Sequence, residues 1–171
     1  CFRYALSENQ SDSLLFINEF TTYRIHQESD RWMQKYVPHY EGDFPHEKGN
    51  VSQGEWGYPA LIRHNGCWAL LTEANIDRNY CATHLTNAAH CEFYQIAYPH
   101  KEEGNGVGSI HPATQTPWFS PWRVIILGEL KNIVESTLVE DVSTPCFLTE
   151  TDWILPGSAS WIYWAYNHGT K

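Results

Sequence analysis

Glu73 is the residue with the clearest chemical potential, because it follows a long apolar run. Asn65-Gly66 is a strong turn signal, since both residues accept the positive φ that tight β-hairpin turns require. The stretch Cys67-Trp68-Ala69-Leu70-Leu71 is typical of a strand covered on both faces. A carboxylate at the end of such a strand is costly unless water, a cation or hydrogen-bond donors meet it. Glu73 therefore either points into solvent or lies on a rigid scaffold, facing a metal ion or a sugar.

A second group of side chains has the types that bind zinc. Cys81, His84, His90 and Cys91 give a Cys-x2-His pair followed by an adjacent His-Cys pair. Thiolate and imidazole are the usual zinc ligands, but this spacing fits no well-known zinc class. A small zinc-binding module is therefore an alternative to the simpler interpretation that these are surface residues.

The composition excludes some partners. The 171 residues carry a formal net charge of -9, whereas a nucleic-acid groove or an anionic membrane surface needs positive charge. No apolar run approaches the length of a membrane span. Eight Trp and ten Tyr residues suit an aromatic core or a surface that stacks on flat ligand faces. The five Cys residues demand no disulfide framework, and Cys67 is predicted to be a small buried hydrophobe.

The predicted elements are short strands separated by Gly and Pro turns. Besides the hairpin, strands are indicated at residues 2–6, 14–17, 21–25, 91–98 and 122–127. Residues 30–44 are predicted to be an irregular aromatic loop, because Pro38 disfavours a long helix. Apolar residues at helical spacing predict a short helix within residues 130–140. The sum favours a mainly β sandwich.

The two ends of the chain suggest a longer protein. Cys1-Phe2-Arg3-Tyr4 already has the pattern of a strand interior. Residues 141–157 are predicted to be a linker, and residues 158–166 alternate as another strand with nothing to pair with. We expect this last strand to open a second domain.

Four segments, taken in order, resemble one enzyme family. They are Phe2-Arg3-Tyr4, Leu71-Thr72-Glu73-Ala74-Asn75, Pro121-Trp122-Arg123-Val124-Ile125-Ile126-Leu127-Gly128, and Trp153-Ile154-Leu155-Pro156-Gly157-Ser158-Ala159-Ser160-Trp161-Ile162-Tyr163-Trp164. Together they resemble the N-terminal domain of glycoside hydrolase family 97 and the start of its catalytic barrel. The sequence departs from the family after Ala74, where a Tyr-Pro-Gly-Met type of stretch is replaced by Asn79-Tyr80-Cys81-Ala82-Thr83-His84.

The resemblance implies a specific domain organisation. Residues 1–140 would form a β-super-sandwich of the galactose-mutarotase-like kind, truncated at its start and carrying a short helix. Residues 141–157 would be the linker. Residues 158–171 would hold the first strand of a truncated (β/α)8 barrel.

The resemblance also implies a function. The parent would be a calcium-dependent glycoside hydrolase that cleaves α-glucosides or α-galactosides, in the bacterial periplasm or outside the cell. Its catalytic carboxylates would lie in the barrel, so no catalytic residue is assigned here and the chain alone is expected to be inactive. Glu73 matches the glutamate that the N-terminal domain lends to a calcium ion. Trp161 and Trp164 match aromatic positions of the first barrel strand, which implies contacts with the oligosaccharide or α-glycoside.

The carboxylates in this sequence agree with catalytic residues that lie in the barrel. Glycoside hydrolysis needs two carboxyl groups across the scissile bond. Glu102 and Glu103 are adjacent in a flexible loop, and Glu140 and Asp141 are expected to be solvated near a helix end. Arg123, in a buried strand, is predicted to be paired structurally. A non-catalytic carbohydrate-binding or structural sandwich remains the competing interpretation.

Overall fold

Strands dominate this chain. The computed structural model describes residues 1–7, 13–37, 42–49, 52–101, 103, 109–155 and 157. Within them are thirteen short strands and two short helices, which confirms the predicted mainly β fold. The predicted barrel strand at residues 158–171, with Trp161 and Trp164, lies outside the described residues. In the described part, neither helix has the length or apolar character needed to cross a bilayer.

The larger sheet contains the predicted hairpin. Its antiparallel strands run in the order β13-β8-β7-β4-β5. They are β4 (Asp30–Trp32), β5 (His46–Lys48), β7 (Ala60–His64), β8 (Cys67–Ala74) and β13 (Trp122–Gly128). Asn65 at φ 48° and Gly66 at φ 83° form the turn between β7 and β8, which is the left-handed backbone that an Asn-Gly pair tolerates.

The smaller sheet has four antiparallel strands in the order β3-β10-β9-β6. They are β3 (Thr22–Arg24), β6 (Gly54–Trp56), β9 (His84–Asn87) and β10 (Phe93–Ala97). Two small ladders complete the described strands: β1 (Ala5–Leu6) with β12 (Trp118–Phe119), and β2 (Leu14–Leu15) with β11 (Ala113–Thr114). Phe2 bridges to Arg123 through two backbone hydrogen bonds of 3.0 and 2.8 Å, which places the first residues beside β13.

The main core lies between the two sheets. Side chains alternate along a strand, so Leu71 of β8 meets the smaller sheet while Leu70 points the other way. The smaller sheet contributes Trp56, Leu85 and Tyr94, each 0% exposed. This packing of one sheet on the other confirms the sandwich.

The outer face of the larger sheet is covered by helices α1 (Leu130–Val134) and α2 (Leu138–Asp141). Ile133 of α1 packs with Val124 and Ile126 of β13, and Leu138 of α2 joins the same cluster. The helix predicted within residues 130–140 is therefore present as two short helices. The central part of β8 is covered on both faces, as its apolar run predicted.

Two local predictions were wrong. Cys67 is exposed rather than buried, because it is the first residue of β8 and adjoins the turn. Residues 30–44 were predicted to be a loop, but β4 begins there at Asp30 and lies between β5 and β7. The inward residue at the centre of β4 is Arg31, 1% exposed, and this charge concealed the strand pattern.

Candidate functional site

Glu73 and Arg123 face each other on neighbouring strands at one end of the sandwich core. They are direct partners in the register of β8 and β13, on the same faces as the core residues Leu71 and Ile125. The side chain of Arg123 is 0% exposed and that of Glu73 is 5% exposed. The interpretation in which Glu73 points into solvent is therefore wrong.

The carboxylate of Glu73 is held by donors on both oxygens. Its Oε2 accepts the backbone N–H of Thr83 at 2.9 Å, and its Oε1 accepts the hydroxyl of Thr83 at 2.6 Å. Arg123 Nη1 also donates to Oε1, so the two residues form an ion pair. This confirms the structural pairing predicted for Arg123.

A second carboxylate, that of Glu19, shares the same guanidinium. Arg123 donates through Nε to Glu19 Oε1 at 2.9 Å and through Nη2 to Oε2. The hydroxyl of Thr21 donates to Oε1 at 2.7 Å, and that of Tyr80 donates to Oε2 at 2.9 Å. Glu19, Glu73 and Arg123 are called the Arg123 cluster below.

The Arg123 cluster holds two carboxylates against one guanidinium, and the two carboxylates titrate differently. Burial raises the pKa of Glu73 above its usual value, and Arg123 and Thr83 offset this only in part. Burial also acts to raise the pKa of Glu19, but the hydrogen bonds from Arg123 outweigh it and the pKa is lowered. Arg123 donates two hydrogen bonds to Glu19 and one to Glu73, and the opposite pKa directions make Glu73 the carboxylate that protonates first as the pH falls.

An aromatic pocket of about 420 Å³ adjoins the Arg123 cluster. Its walls include Tyr80 and Trp118, whose rings stack with centroids 5.5 Å apart, and the Tyr80 hydroxyl meets that of Tyr98 at 2.8 Å. The full lining is Tyr4, Leu6, Phe16, Asn18, Glu19, Phe20, Tyr80, Tyr98 and Trp118. A flat aromatic wall beside polar groups is the usual chemistry of a sugar-stacking surface, and equally of a domain contact.

Residues 1–145 match the family described as Glycosyl-hydrolase 97 N-terminal. This chain belongs to that family. The match covers the sandwich and ends at residue 145, within the predicted linker of residues 141–157.

Three proteins show what the family 97 domain is similar to. It is 26% identical over 165 residues to a probable retaining alpha-galactosidase of Streptomyces bingchenggensis (strain BCW-1), covering 96% of this chain and 24% of that protein. A crystal structure of a beta-arabinopyranosidase superposes with a TM-score of 0.77 at 30% identity, over 88% of this chain and 27% of that one. A Glycoside Hydrolase Family 97 enzyme from Pseudoalteromonas sp. strain K8, solved with acarbose, gives a TM-score of 0.72 at 20% identity, over 91% of this chain and 23% of that one. At that last identity the likeness shows the fold alone. This chain spans about a quarter of the length of each relative.

The donors around Glu73 do not fit the calcium ion that the family resemblance implies. Calcium takes six to eight oxygen ligands, whereas Glu73 faces the guanidinium of Arg123 and the N–H and O–H donors of Thr83. A calcium ion at Glu73 Oε1 would have to displace Arg123. Arg123 would then keep Glu19 as its only carboxylate partner in the cluster. Calcium ligation by Glu73 is therefore what the family resemblance implies, and not what the geometry of the described residues predicts.

The alternative zinc set is not assembled. In the described residues, which include all four members of the set, no three of Cys81, His84, His90 and Cys91 lie within ligand distance of one another. Burial raises the pKa of the Cys81 thiol to about 12.

The adjacent carboxylate pairs do not form a catalytic centre either. Glu140 and Asp141 are exposed in α2, as predicted. Glu103 accepts hydrogen bonds from the Tyr36 hydroxyl and from the backbone N–H of His100, while its neighbour Glu102 lies outside the described residues. Sequence reasoning missed Glu19. No motif around Glu19 indicates its partner Arg123, which lies 104 positions away along the chain.

The pH dependence of stability should separate Glu73 from a solvated carboxylate. A pKa raised in the folded state means that the stability contribution of Glu73 is complete below its unfolded pKa and is lost as the pH rises through its folded pKa. Glu73→Gln mimics the protonated acid, so the loss in free energy of unfolding above pH 4.5 should be smaller in this variant than in the wild type. Urea unfolding between pH 4 and pH 8 measures this difference.

Glu92 provides the control of opposite sign. Its pKa is lowered by the backbone N–H of Gln27 and by Arg24, so its contribution is present above its unfolded pKa and is lost as the pH falls. Glu92→Gln should therefore lose less free energy of unfolding than the wild type as the pH falls below 4.5, and should follow the wild type above it. Identical pH profiles for the two variants would contradict the assignment of a raised pKa to Glu73.

Proposed function

We propose that this chain is the N-terminal sandwich of a family 97 glycoside hydrolase that acts on α-glucosides or α-galactosides. In this proposal the sandwich supports a catalytic barrel and supplies no catalytic carboxylate. The family match over residues 1–145 supports it, as do relatives that are about four times as long and whose names describe glycosidases. The glycoside substrate would bind to the barrel of the longer protein, outside the cell or in the periplasm.

The Arg123 cluster is the observation that carries the non-catalytic assignment. A glycosidase needs an acid and a second carboxylate that face the sugar from opposite sides. Glu19 and Glu73 are the two carboxylates at the aromatic pocket end of the core, but both are hydrogen-bonded to one shared arginine. A carboxylate held by an internal guanidinium and by hydroxyl donors stabilises the domain and is poorly placed to attack or protonate a substrate.

The aromatic pocket favours a second candidate, a carbohydrate-binding sandwich without its own catalysis. Tyr4 and Phe20 of the pocket lining are 47% and 79% exposed and could stack on a sugar, and the buried Trp118 beside them would report such binding through its fluorescence. The same lining suits packing against the catalytic barrel. Fluorescence titration with galactose, glucose and arabinose distinguishes the two, because only the carbohydrate-binding candidate predicts a saturable change.

We expect this chain alone to show no hydrolysis of nitrophenyl α-glucoside, α-galactoside or β-arabinopyranoside. The physical reason is that Glu19 and Glu73, the carboxylates beside the aromatic pocket, are both held by Arg123, while Glu140 and Asp141 lie exposed in α2. Release of nitrophenol, followed at constant temperature over hours, measures the rate.

A double variant, Glu19→Gln with Glu73→Gln, controls for contaminating enzymes. A trace rate that is unchanged in the double variant does not involve Glu19 or Glu73, and it comes from a contaminant if it falls with further purification. A rate that is present in the folded wild type and lost in the folded double variant would contradict the proposal.

A further inference from the structure

Three ligand-type side chains meet on the outer face of the four-stranded sheet. They are Glu55 of β6, His84 of β9 and His100, which follows β10. One ligand atom from each lies within 4.8 Å of the others. None of the three belongs to the Arg123 cluster.

The sheet register explains why they meet. Trp56 and Leu85 are paired and point into the core, so their neighbours Glu55 and His84 point outward. Glu55 pairs with Thr86, which places His84 at the diagonal position on the same face. His84 pairs with Ala97, and the chain then turns to bring His100 over this face.

The three side chains already converge on one point. His100 Nε2 lies 2.8 Å from Glu55 Oε2, and His84 Nε2 lies 3.4 Å from Glu55 Oε1. Each imidazole therefore directs its Nε2 at one oxygen of the Glu55 carboxylate. Two imidazole nitrogens and a carboxylate oxygen form a donor set that suits zinc, cobalt or nickel.

Neighbouring residues hold these ligands in place. The ring of Tyr36 stacks on His84 with centroids 3.9 Å apart and an interplanar angle of 15°. The Tyr36 hydroxyl donates to Glu103, whose other carboxylate oxygen accepts the backbone N–H of His100 at 2.7 Å. The stacking restricts the orientation of the His84 ring, and the hydrogen bond to Glu103 holds the backbone that carries His100.

The nitrogen that His84 would give to an ion is buried and has no short hydrogen bond. The His84 side chain is 1% exposed. Its Nε2 contact of 3.4 Å is long for a hydrogen bond.

The cluster is also open to solvent on one side. Glu55 and His100 have side-chain exposures of 40% and 49%, so an ion can enter without unfolding the sheet. Glu55 and Glu103 supply negative charge beside two imidazoles. Three protein ligands would leave one coordination position for water or another small ligand.

We propose that Glu55, His84 and His100 bind one divalent transition-metal ion of the zinc class on the outer face of this sandwich. The ion would join β6 and β9 to the segment after β10. This site shares only His84 with the cysteine-containing set considered from the sequence, and it does not depend on the assignment of the chain to a glycosidase.

Cobalt titration of the complete 171-residue chain tests the proposal, because its visible spectrum reports the ligand types. We expect one ion per chain, with d–d bands and without the thiolate charge-transfer band that the five free cysteines would produce. Zinc should displace the cobalt. His100→Ala should weaken binding by at least about 10-fold with unchanged circular dichroism, since His100 is half exposed.

Two further variants keep the result interpretable. Glu55→Gln preserves the size of the side chain and should also weaken binding, which covers the case in which His100→Ala does not fold. His90→Asn is the matched control, because His90 is exposed, outside the cluster and at φ 56°, which Asn tolerates. Absence of binding at millimolar cobalt, affinity unchanged in His100→Ala and Glu55→Gln, or a thiolate band as the main signature would each overturn the proposal.

Discussion

Arg123→Met should lower the free energy of unfolding by about 3–5 kcal/mol, because it leaves two buried carboxylates without their cation. Glu19 loses its Nε and Nη2 donors, and Glu73 loses its Nη1 donor. For a domain of this length the loss corresponds to a fall in Tm of about 6–20 °C. The variant should also recover stability as the pH falls, because each carboxylate becomes tolerable once it is protonated. Thermal unfolding at several pH values measures both effects.

A triple variant separates the pairing from the packing. Glu19→Gln, Glu73→Gln and Arg123→Met together remove all three charges, and replacing a complete buried ion cluster is far less costly than breaking it. The triple variant should therefore be more stable than Arg123→Met alone. Arg78→Met, at an exposed position, should stay within about 0.5 kcal/mol of the wild type. An Arg123→Met variant as stable as Arg78→Met would show that the Arg123 cluster does not contribute the predicted free energy of unfolding.

Trp56→Ala should cost about 3–5 kcal/mol, because it opens a large cavity between the sheets. Trp56 is 0% exposed, and its Nε1 donates to Asn87 Oδ1 at 2.8 Å. The guanidinium of Arg31 lies 4.1 Å from the ring centroid, so the substitution also removes a cation–π contact. Urea unfolding, with the change in midpoint and slope analysed separately, gives the magnitude.

Trp153→Ala is the matched control for Trp56→Ala. Trp153 is 71% exposed, and removing it should change the free energy of unfolding by no more than about 0.5 kcal/mol. Trp56→Phe should fall between the two, since it keeps most of the volume but leaves Asn87 Oδ1 without its donor. Equal losses for the buried and the exposed tryptophan would contradict the placement of the core.

The hairpin and the central strands were predictable because their signals are local. Asn65-Gly66 specifies a turn through backbone conformation alone, and the apolar run after it gives strand β8. Strand β4 was missed because its inward residue is Arg31, whose charge is met by Glu47 and by the face of Trp56. Those partners are adjacent only after folding.

The environment of Glu73 could not be predicted from the sequence for the same reason. A costly carboxylate at the end of an apolar strand was recognised, and donors were one of the possible solutions. Which solution applies depends on Arg123 and Thr83, one of them fifty positions away along the chain. The cluster of Glu55, His84 and His100 was likewise missed, because its members lie on β6, on β9 and after β10 and share no motif.

The central claim is that the carboxylate of Glu73 is satisfied inside the sandwich by Arg123 and Thr83. The most direct test is a calcium titration of the wild type and of Glu73→Gln, in this chain and in a longer polypeptide that joins it to a catalytic barrel. Calorimetry gives the calcium affinity, and thermal unfolding reports whether the variant is folded. We predict equal calcium affinity in the wild type and the variant, with a change only in stability and its pH dependence. A folded Glu73→Gln protein that has lost calcium affinity would contradict the claim and would assign the carboxylate to the ion.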